Sequence, residues 1–287
     1  MEALQKCSRT RGNNRKILTR SASNQRQECN ALSHKNVEYE VQDRCAWLTM
    51  NRPEALNALS KEMFRELEAT LREATRDRAV SSIVIKGEGR AFSAGLDVKE
   101  VSGFGSRREA REFVYDLVKP FWKRFLECEK PILSMVDGPA YGAGAEIALA
   151  SDIVAASTGS TFAFSGGRVG ALCCISAALG QFTMTGRKVI EMNLTGTPVS
   201  AEEARSYGLV NYVEETIHLR ERVDRILSEI RNVSPISNAS FKRIHRSLVT
   251  THTLDLAHRE LFRTITSPDF EKGAAAFKQK THPEYYQ

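Results

Sequence analysis

Apolar residues recur along this chain with two periods, and the periods alternate. VEYEVQDRCAWLTMNRP, from Val37, alternates apolar and polar positions as a hairpin does, and Asn51-Arg52-Pro53 ends its second strand. From Ser60, KEMFRELEATLREATRD places Met63, Phe64, Leu67 and Leu71 on one helical stripe with Ser60 as its cap. SSIVIKG then reads as a short apolar strand, completing a β–α–β unit whose outer strands run parallel. REFVYDLVKPFWKRFLECE predicts helix, PILSMVDG strand, YGAGAEIALASD helix and DIVAAS strand again. Successive units of this kind predict an α/β core. Beyond about residue 200 the strand signals fade, and SAEEARSYG, Glu215 to Asn232, Pro235 to Val249 and a last segment through His258 read as helices. The chain thus divides into an arm (1–36), an α/β core (37–200) and a helical C-terminal region (201–287).

The net charge of +6 invites a nucleic-acid partner until it is located. Residues 1–36 carry eight Lys/Arg against two acids, leaving 33 basic and 33 acidic residues in the body. A body neutral by count presents no argument for a nucleic-acid surface. The arm is rich in Arg, Ser and Asn, poor in acids, and holds too little apolar surface to fold alone. Its composition is that of a mitochondrial transit peptide, which implies the matrix; an arm retained on a cytoplasmic protein would read the same way. No apolar run approaches the ~18 residues of a membrane span. The six cysteines form no C-x-x-C and the six histidines lie at 34 or from 218 onward, away from the glycine-rich centre. This speaks against a zinc site and for a reducing compartment.

One charge is out of place. Glu146 sits among Gly, Ala, Ile and Leu in YGAGAEIALASD, and desolvating a carboxylate costs several kcal/mol and pushes it toward its neutral form. Two glycine-rich loops follow strands: GRAFSAGLDVKE (Gly89 to Glu100) and the loop that carries Glu146. Loops of this kind leading into helices offer unpaired backbone N–H groups backed by the helix dipole, and two of them facing one point would hold a negatively charged oxygen. Dinucleotide binding fits poorly, because Gly142-Ala143-Gly144 has Ile147 at the sixth position and no acid about 20 residues on. Neither Ser93 nor Ser165 has the glycine two residues upstream that a nucleophile elbow requires.

NRPEALNALS, GRAFSAGLDVKE, KPILSMVDGPAYGAGAEIALASDIVAAS and LTGTPVSAEEARSYGLVNYV, in this order, together resemble the crotonase or enoyl-CoA hydratase/isomerase superfamily over residues 37 to 287, including the ending DFEKGAAAFKQK. The resemblance implies an α/β spiral of β–β–α units in two sheets with a C-terminal trimerisation region, to which Leu254, Leu261, Phe262 and Phe277 would lend apolar surface. It implies a coenzyme A thioester as substrate and no separate cofactor, a homotrimer or hexamer, and an enzyme of acyl-CoA metabolism working through a thioester enolate. By position in the motifs, the oxyanion donors would be the N–H groups of Leu96 and Ala143. Leu96, Asp97, Val98 and Lys99 would run along the coenzyme, with Lys99 and Lys278 near phosphates, and Glu146 would be the acid/base.

The chain departs from the family where hydratases carry a second glutamate, since Gly166 stands there in FAFSGGR. Concerted addition of water uses two carboxylates, so the departure points to chemistries that need one: double-bond isomerisation, hydrolysis, or loss of CO₂ from a malonyl-type thioester. A non-catalytic acyl-CoA- or RNA-binding role is the alternative of another class. Arg168, beside Gly166, is a candidate for a substrate carboxylate or an ordinary surface residue. Cys173-Cys174 reads as buried apolar filling rather than a nucleophile, having no His or Lys nearby in sequence.

Overall fold

The computed structural model describes residues 35–285, so nearly all of the arm, with Cys7, Cys29 and the transit-peptide reading, lies outside the described residues. The expected hairpin is β1 (Val37–Gln42) against β2 (Cys45–Met50), with Val37 opposite Met50. Its turn residues Asp43 and Arg44 are both left-handed, at φ 48° and 63°, the pairing that matches the twist of a two-residue hairpin. Helix α1 (Lys61–Arg76) begins where Ser60 Oγ accepts the N–H of Met63, and it buries Met63, Phe64, Leu67 and Leu71. β3 (Ser82–Gly87) then lies parallel to β2.

After α2 (Val98–Val101) and α3 (Arg107–Glu112) the structure departs from the single helix expected. Phe113–Val118 forms a π-helical turn between α3 and α4 (Lys119–Glu127). β4 (Ile132–Val136), β5 (Pro139–Tyr141), α5 (Ala143–Ala150), β6 (Ile153–Ser157) and β7 (Thr161–Ala163) follow, then α6 (Cys174–Thr183), α7 (Gly186–Thr195), β8 (Val199–Ser200) and α8 (Ala201–Ser206). β9 (Tyr212–Glu214) corrects the expectation that strands end near 200: it is the edge of the main sheet, parallel to β6, and three residues are too few to show a period. The main sheet runs β1-β2-β3-β4-β6-β9, and β5-β7-β8 form a second, small sheet.

Four helices close the chain: α9 (Thr216–Arg231), α10 (Pro235–Arg246), α11 (Thr251–Ile265) and α12 (Pro268–Gln279). The described residues belong to one compact unit. Within it α9 covers one face of the main sheet, packing Leu219, Val223, Ile226 and Leu227 on Trp47, Val84, Leu133 and Ala155. The larger core on the other face gathers α1, α4 and α5 around Phe64, Phe121, Trp122 and Ile147. Of the four apolar residues expected at a subunit interface, Phe277 on α12 is exposed and the other three pack on their own chain. Leu261 is buried, and Leu254 and Phe262 pack on the core, because α11 spends its apolar stripe on its own chain. Exposed apolar side chains are found on several helices among the described residues: Ile190 and Leu194 on α7, Ile217 on α9, and Ile236, Phe241 and Ile244 on α10. No helix among the described residues is long and apolar enough to cross a membrane.

Candidate active site

The two glycine-rich loops meet. Gly95, at φ +90°, lies so close to the second loop that a Cβ there would stand 2.6 Å from Tyr141 O and 3.1 Å from Ala143 N. Only glycine permits both that conformation and that approach. Further contacts hold the loops in register: Tyr141 N donates to Ser93 O at 2.8 Å and Ser93 N to Pro139 O at 3.2 Å. The amides flanking Leu96 are engaged with Leu59, whose N donates to Gly95 O and whose carbonyl accepts from Asp97 N. The N–H groups of Leu96 and of Ala143, the first residue of α5, find no acceptor among the described residues. Both residues line one cavity of about 870 Å³.

Glu146 lines the same cavity from the first turn of α5, whose other residues are all buried and apolar. Only 2% of its surface is exposed. Burial pushes its pKa up to about 8, opposed by two hydrogen bonds to one carboxylate oxygen: Oε1 accepts from Ile175 N at 2.7 Å and Ser176 N at 2.9 Å. The restraining helix end is therefore that of α6, not of α5 to which Glu146 belongs. The described residues offer Oε2 no donor, which leaves it for the cavity. A carboxyl with a pKa near 8 exchanges protons readily at neutral pH.

The other expected site residues separate. Val98 and Lys99 line the cavity. Asp97 also lines it, but its side chain caps α2 at Glu100 N and pairs with Arg52 at 3.3 Å. Lys278 faces a neighbouring cavity between α12 and the α2–α3 segment, and Lys280, just past the end of α12, takes the place beside the main one. Arg168 turns away: its Nε donates to Thr195 O and its Nη2 to Thr197 Oγ1, so it is not a carboxylate receptor. Cys173 and Cys174 do line the cavity, but burial and the proximity of Glu146 hold both thiols well above their ordinary pKa. A protonated thiol is a poor nucleophile.

The position of the second family acid is filled. Gly166 is not left-handed, so its backbone would admit a side chain, but a Cβ would meet Ala171 O at 2.9 Å and Cys173 Sγ at 3.0 Å. The thiol, accepting the Gly166 N–H at 3.4 Å, occupies that space. Gly166→Glu alone is expected to lower the melting temperature, and adding Cys173→Ala to recover part of the loss and to raise hydration of a 2-enoyl thioester above the wild-type rate. A folded Gly166→Glu/Cys173→Ala protein with no gain in hydration would refute that reading.

Sequence reasoning missed the rest of the lining. Phe64 of α1, Val118 of the π turn, Trp122 of α4 and Leu261 of α11 converge on the cavity from segments far apart in the chain, and Arg52 and Arg90 join them. No local pattern marks such residues as site rather than core.

An α/β fold of two sheets, with two converging loops and one buried acid at their junction, is that of the crotonase superfamily. The chain belongs to the Enoyl-CoA hydratase/isomerase family, whose model matches residues 40–287. A "Probable enoyl-CoA hydratase" of Rhizobium meliloti is 32% identical over 261 residues, covering 88% of this chain and 99% of the relative. "Enoyl-CoA hydratase domain-containing protein 3, mitochondrial" of Rattus norvegicus is 33% identical over 249 residues, covering 84% of this chain and 81% of that protein. The crystal structure of an enoyl-CoA hydratase/isomerase from Pseudoalteromonas atlantica superposes with a TM-score of 0.77 at 28% identity, covering 88% of this chain and all of the other.

Proposed function

We propose that the protein is an acyl-CoA enzyme that shifts a carbon–carbon double bond, using Glu146 as its single proton carrier. The thioester oxygen accepts from Leu96 N–H and Ala143 N–H, which lowers the energy of the enolate. Glu146, as carboxylate, removes a proton from the carbon next to the carbonyl of a 3-enoyl thioester. The C–H electron pair becomes the double bond between the carbonyl carbon and its neighbour in a dienolate, as the carbonyl π pair moves onto the thioester oxygen. The 2,3 double bond forms when that charge returns and the 3,4 double bond takes up a proton at carbon 4. Glu146 then returns the proton to the carbon four places along the chain, and the 2-enoyl thioester results. One acid suffices, and no water is consumed.

The observation that carries this reading is that Glu146 is the only buried carboxyl lining the cavity among the described residues. Of the cavity's other acids, Glu54 has a side chain 73% exposed and Asp97 is paired with Arg52. Loss of CO₂ from a malonyl-type thioester is less favoured, because Arg168 points elsewhere. Turnover of purified protein against 3-enoyl-, 2-enoyl-, malonyl- and saturated acyl-CoA thioesters tests it. The 3-enoyl ester should be isomerised faster than the 2-enoyl ester is hydrated. Brisk hydration without isomerisation would overturn the proposal.

A further inference from the structure

Helix α6 begins without a cap of its own. Cys173 stands at the capping position, but its side chain accepts none of the helix's first N–H groups and takes the Gly166 N–H instead. An uncapped first turn leaves donors at its second and third residues, the ones a capping side chain would normally satisfy. Here those residues are Ile175 and Ser176, and both N–H groups go to Glu146 Oε1, at 2.7 Å and 2.9 Å. The cavity acid of α5 is thus the cap of α6. A helix N-terminus favours a negative charge, and two N–H bonds to the carboxylate hold back the rise in pKa that burial causes. Whatever sets the position of this turn sets the proton affinity of Glu146.

The turn is tied to α7 through one side-chain pair. The buried hydroxyl of Ser176 donates to Asn193 Oδ1 at 2.8 Å, and Cys173 O, at 2.9 Å, stands beside the same hydrogen. Asn193 Nδ2 donates to Val189 O at 2.8 Å, one turn back on α7, which fixes the amide's orientation and leaves Oδ1 for the hydroxyl. Hydrogen bonds therefore join the α7 backbone, through Asn193 and Ser176, to the carboxylate in the cavity. Few titratable groups face that carboxylate. α5 packs chiefly on β4, β5 and α6. β4 carries no ionisable side chain, and β5 carries Tyr141, whose hydroxyl bonds to Thr161 Oγ1 at 3.1 Å. α6 and its capping residue carry the thiols of Cys174 and Cys173. The cavity's other charged groups, Arg52, Glu54, Arg90, Asp97, Lys99 and Lys280, lie on residues 52–54, 90–99 and 280.

We infer that Ser176 and Asn193 are positioning residues for Glu146: their hydroxyl–amide bond holds the first turn of α6 against one carboxylate oxygen, so that the other stays turned to the cavity while protons come and go. The inference rests on Glu146 as the proton carrier proposed above. Neither side chain lines the cavity, so both act through the backbone of α6 rather than on the substrate. Without their bond the turn is free to draw back, the carboxylate loses its donors, and the acid holds its proton more tightly. Turnover then falls at neutral pH and returns as the pH is raised, since only the carboxylate begins the reaction.

Infrared titration of the buried carboxyl tests it without any substrate. The band lost in Glu146→Gln identifies the group, and its midpoint in the wild type is expected at about 8. Ser176→Ala and Asn193→Ala each remove one side-chain hydrogen bond of ordinary worth, and each is expected to raise that midpoint by about one pH unit, a tenfold change in proton affinity. The double variant should titrate like either single one, because the two side chains act through the same bond. Ser176→Thr, which keeps the hydroxyl, should titrate like the wild type. Folded Ser176→Ala and Asn193→Ala proteins with the wild-type midpoint would overturn the inference, whatever their turnover. So would shifts that add in the double variant, or a shift in Ser176→Ala alone, which would make Cys173 O the partner that matters. A shifted midpoint in a protein that leaves 3-enoyl thioesters untouched would leave the positioning standing and overturn the proposed reaction.

Discussion

Turnover of a Glu146→Gln protein is expected to fall by about 10²–10⁴, the usual worth of a positioned acid or base, with its fold and its affinity for acyl-CoA thioesters preserved. Glutamine keeps an oxygen to accept the N–H groups of Ile175 and Ser176, so the start of α6 has no reason to move. What it loses is the exchangeable proton. The wild-type rate should also rise with pH through about 8, where burial has placed the group's pKa, since only the carboxylate can begin the reaction. Stability should run the other way. A folded pKa raised above the unfolded value favours folding at low pH, and that advantage is lost as pH climbs from the ordinary carboxylate range through about 8. Every tenfold difference in proton affinity between the folded and unfolded chains is worth ~1.4 kcal/mol, so Glu146→Gln should become the more stable of the two in alkali by several kcal/mol. Melting temperatures of both proteins from pH 5 to 9, beside their turnover, check the whole set. Proportional losses of binding and turnover, or melting curves that keep a constant separation, would mark Glu146 as structural.

Ala143→Pro is expected to lower turnover by about 10²–10³, the cost of one oxyanion donor or ~2.7–4 kcal/mol. Proline is at home in the first position of a helix, where its missing N–H would have no helical partner and its φ is already suitable. Ala143 is that position in α5, and its N–H has no acceptor among the described residues. The neighbouring bond from Gly142 N to Ala163 O at 2.8 Å stays available to hold the loop. The substitution therefore removes one donor from the cavity and little else. Unchanged turnover in a protein that melts like the wild type would mean that Ala143 N–H holds no oxyanion.

Long elements announced themselves in the sequence and short ones did not. The unit β2–α1–β3 is plain because α1 repeats its apolar stripe over four turns and Ser60 caps it. β5, β7, β8 and β9 have two or three residues each, less than one clear alternation, and they are strands because neighbours pair with them. At the site, Leu96, Ala143 and Glu146 were legible because one local motif carries each of them, and the structure brings all three to one cavity. Lys278, within α12, lines the neighbouring cavity, and Lys280, past the helix end at φ 57°, lines the main one, a division that no local pattern in the sequence shows. Gly166 was legible as a missing acid but not as a filled space, since the space is taken by the Ala171 carbonyl and the Cys173 thiol, which only folding brings beside it.

The π turn at Phe113–Val118 bears on how this protein can diverge. Such a turn is a helix that has taken in one surplus residue without breaking. Deleting one residue between 113 and 118 would let α3 run into α4 as a regular helix, and because each residue turns a helix by about 100°, one side of the join would rotate by that angle against the other. Val118 and Trp122, which lie at and just beyond the join, would then cede their places on the cavity wall to neighbours in the sequence. Gly95, Ala143 and Glu146 sit on other segments and would be untouched. Gain or loss of a single codon is therefore a route by which descendants of this gene could reshape one wall of the cavity while inheriting the two loops and Glu146 unchanged.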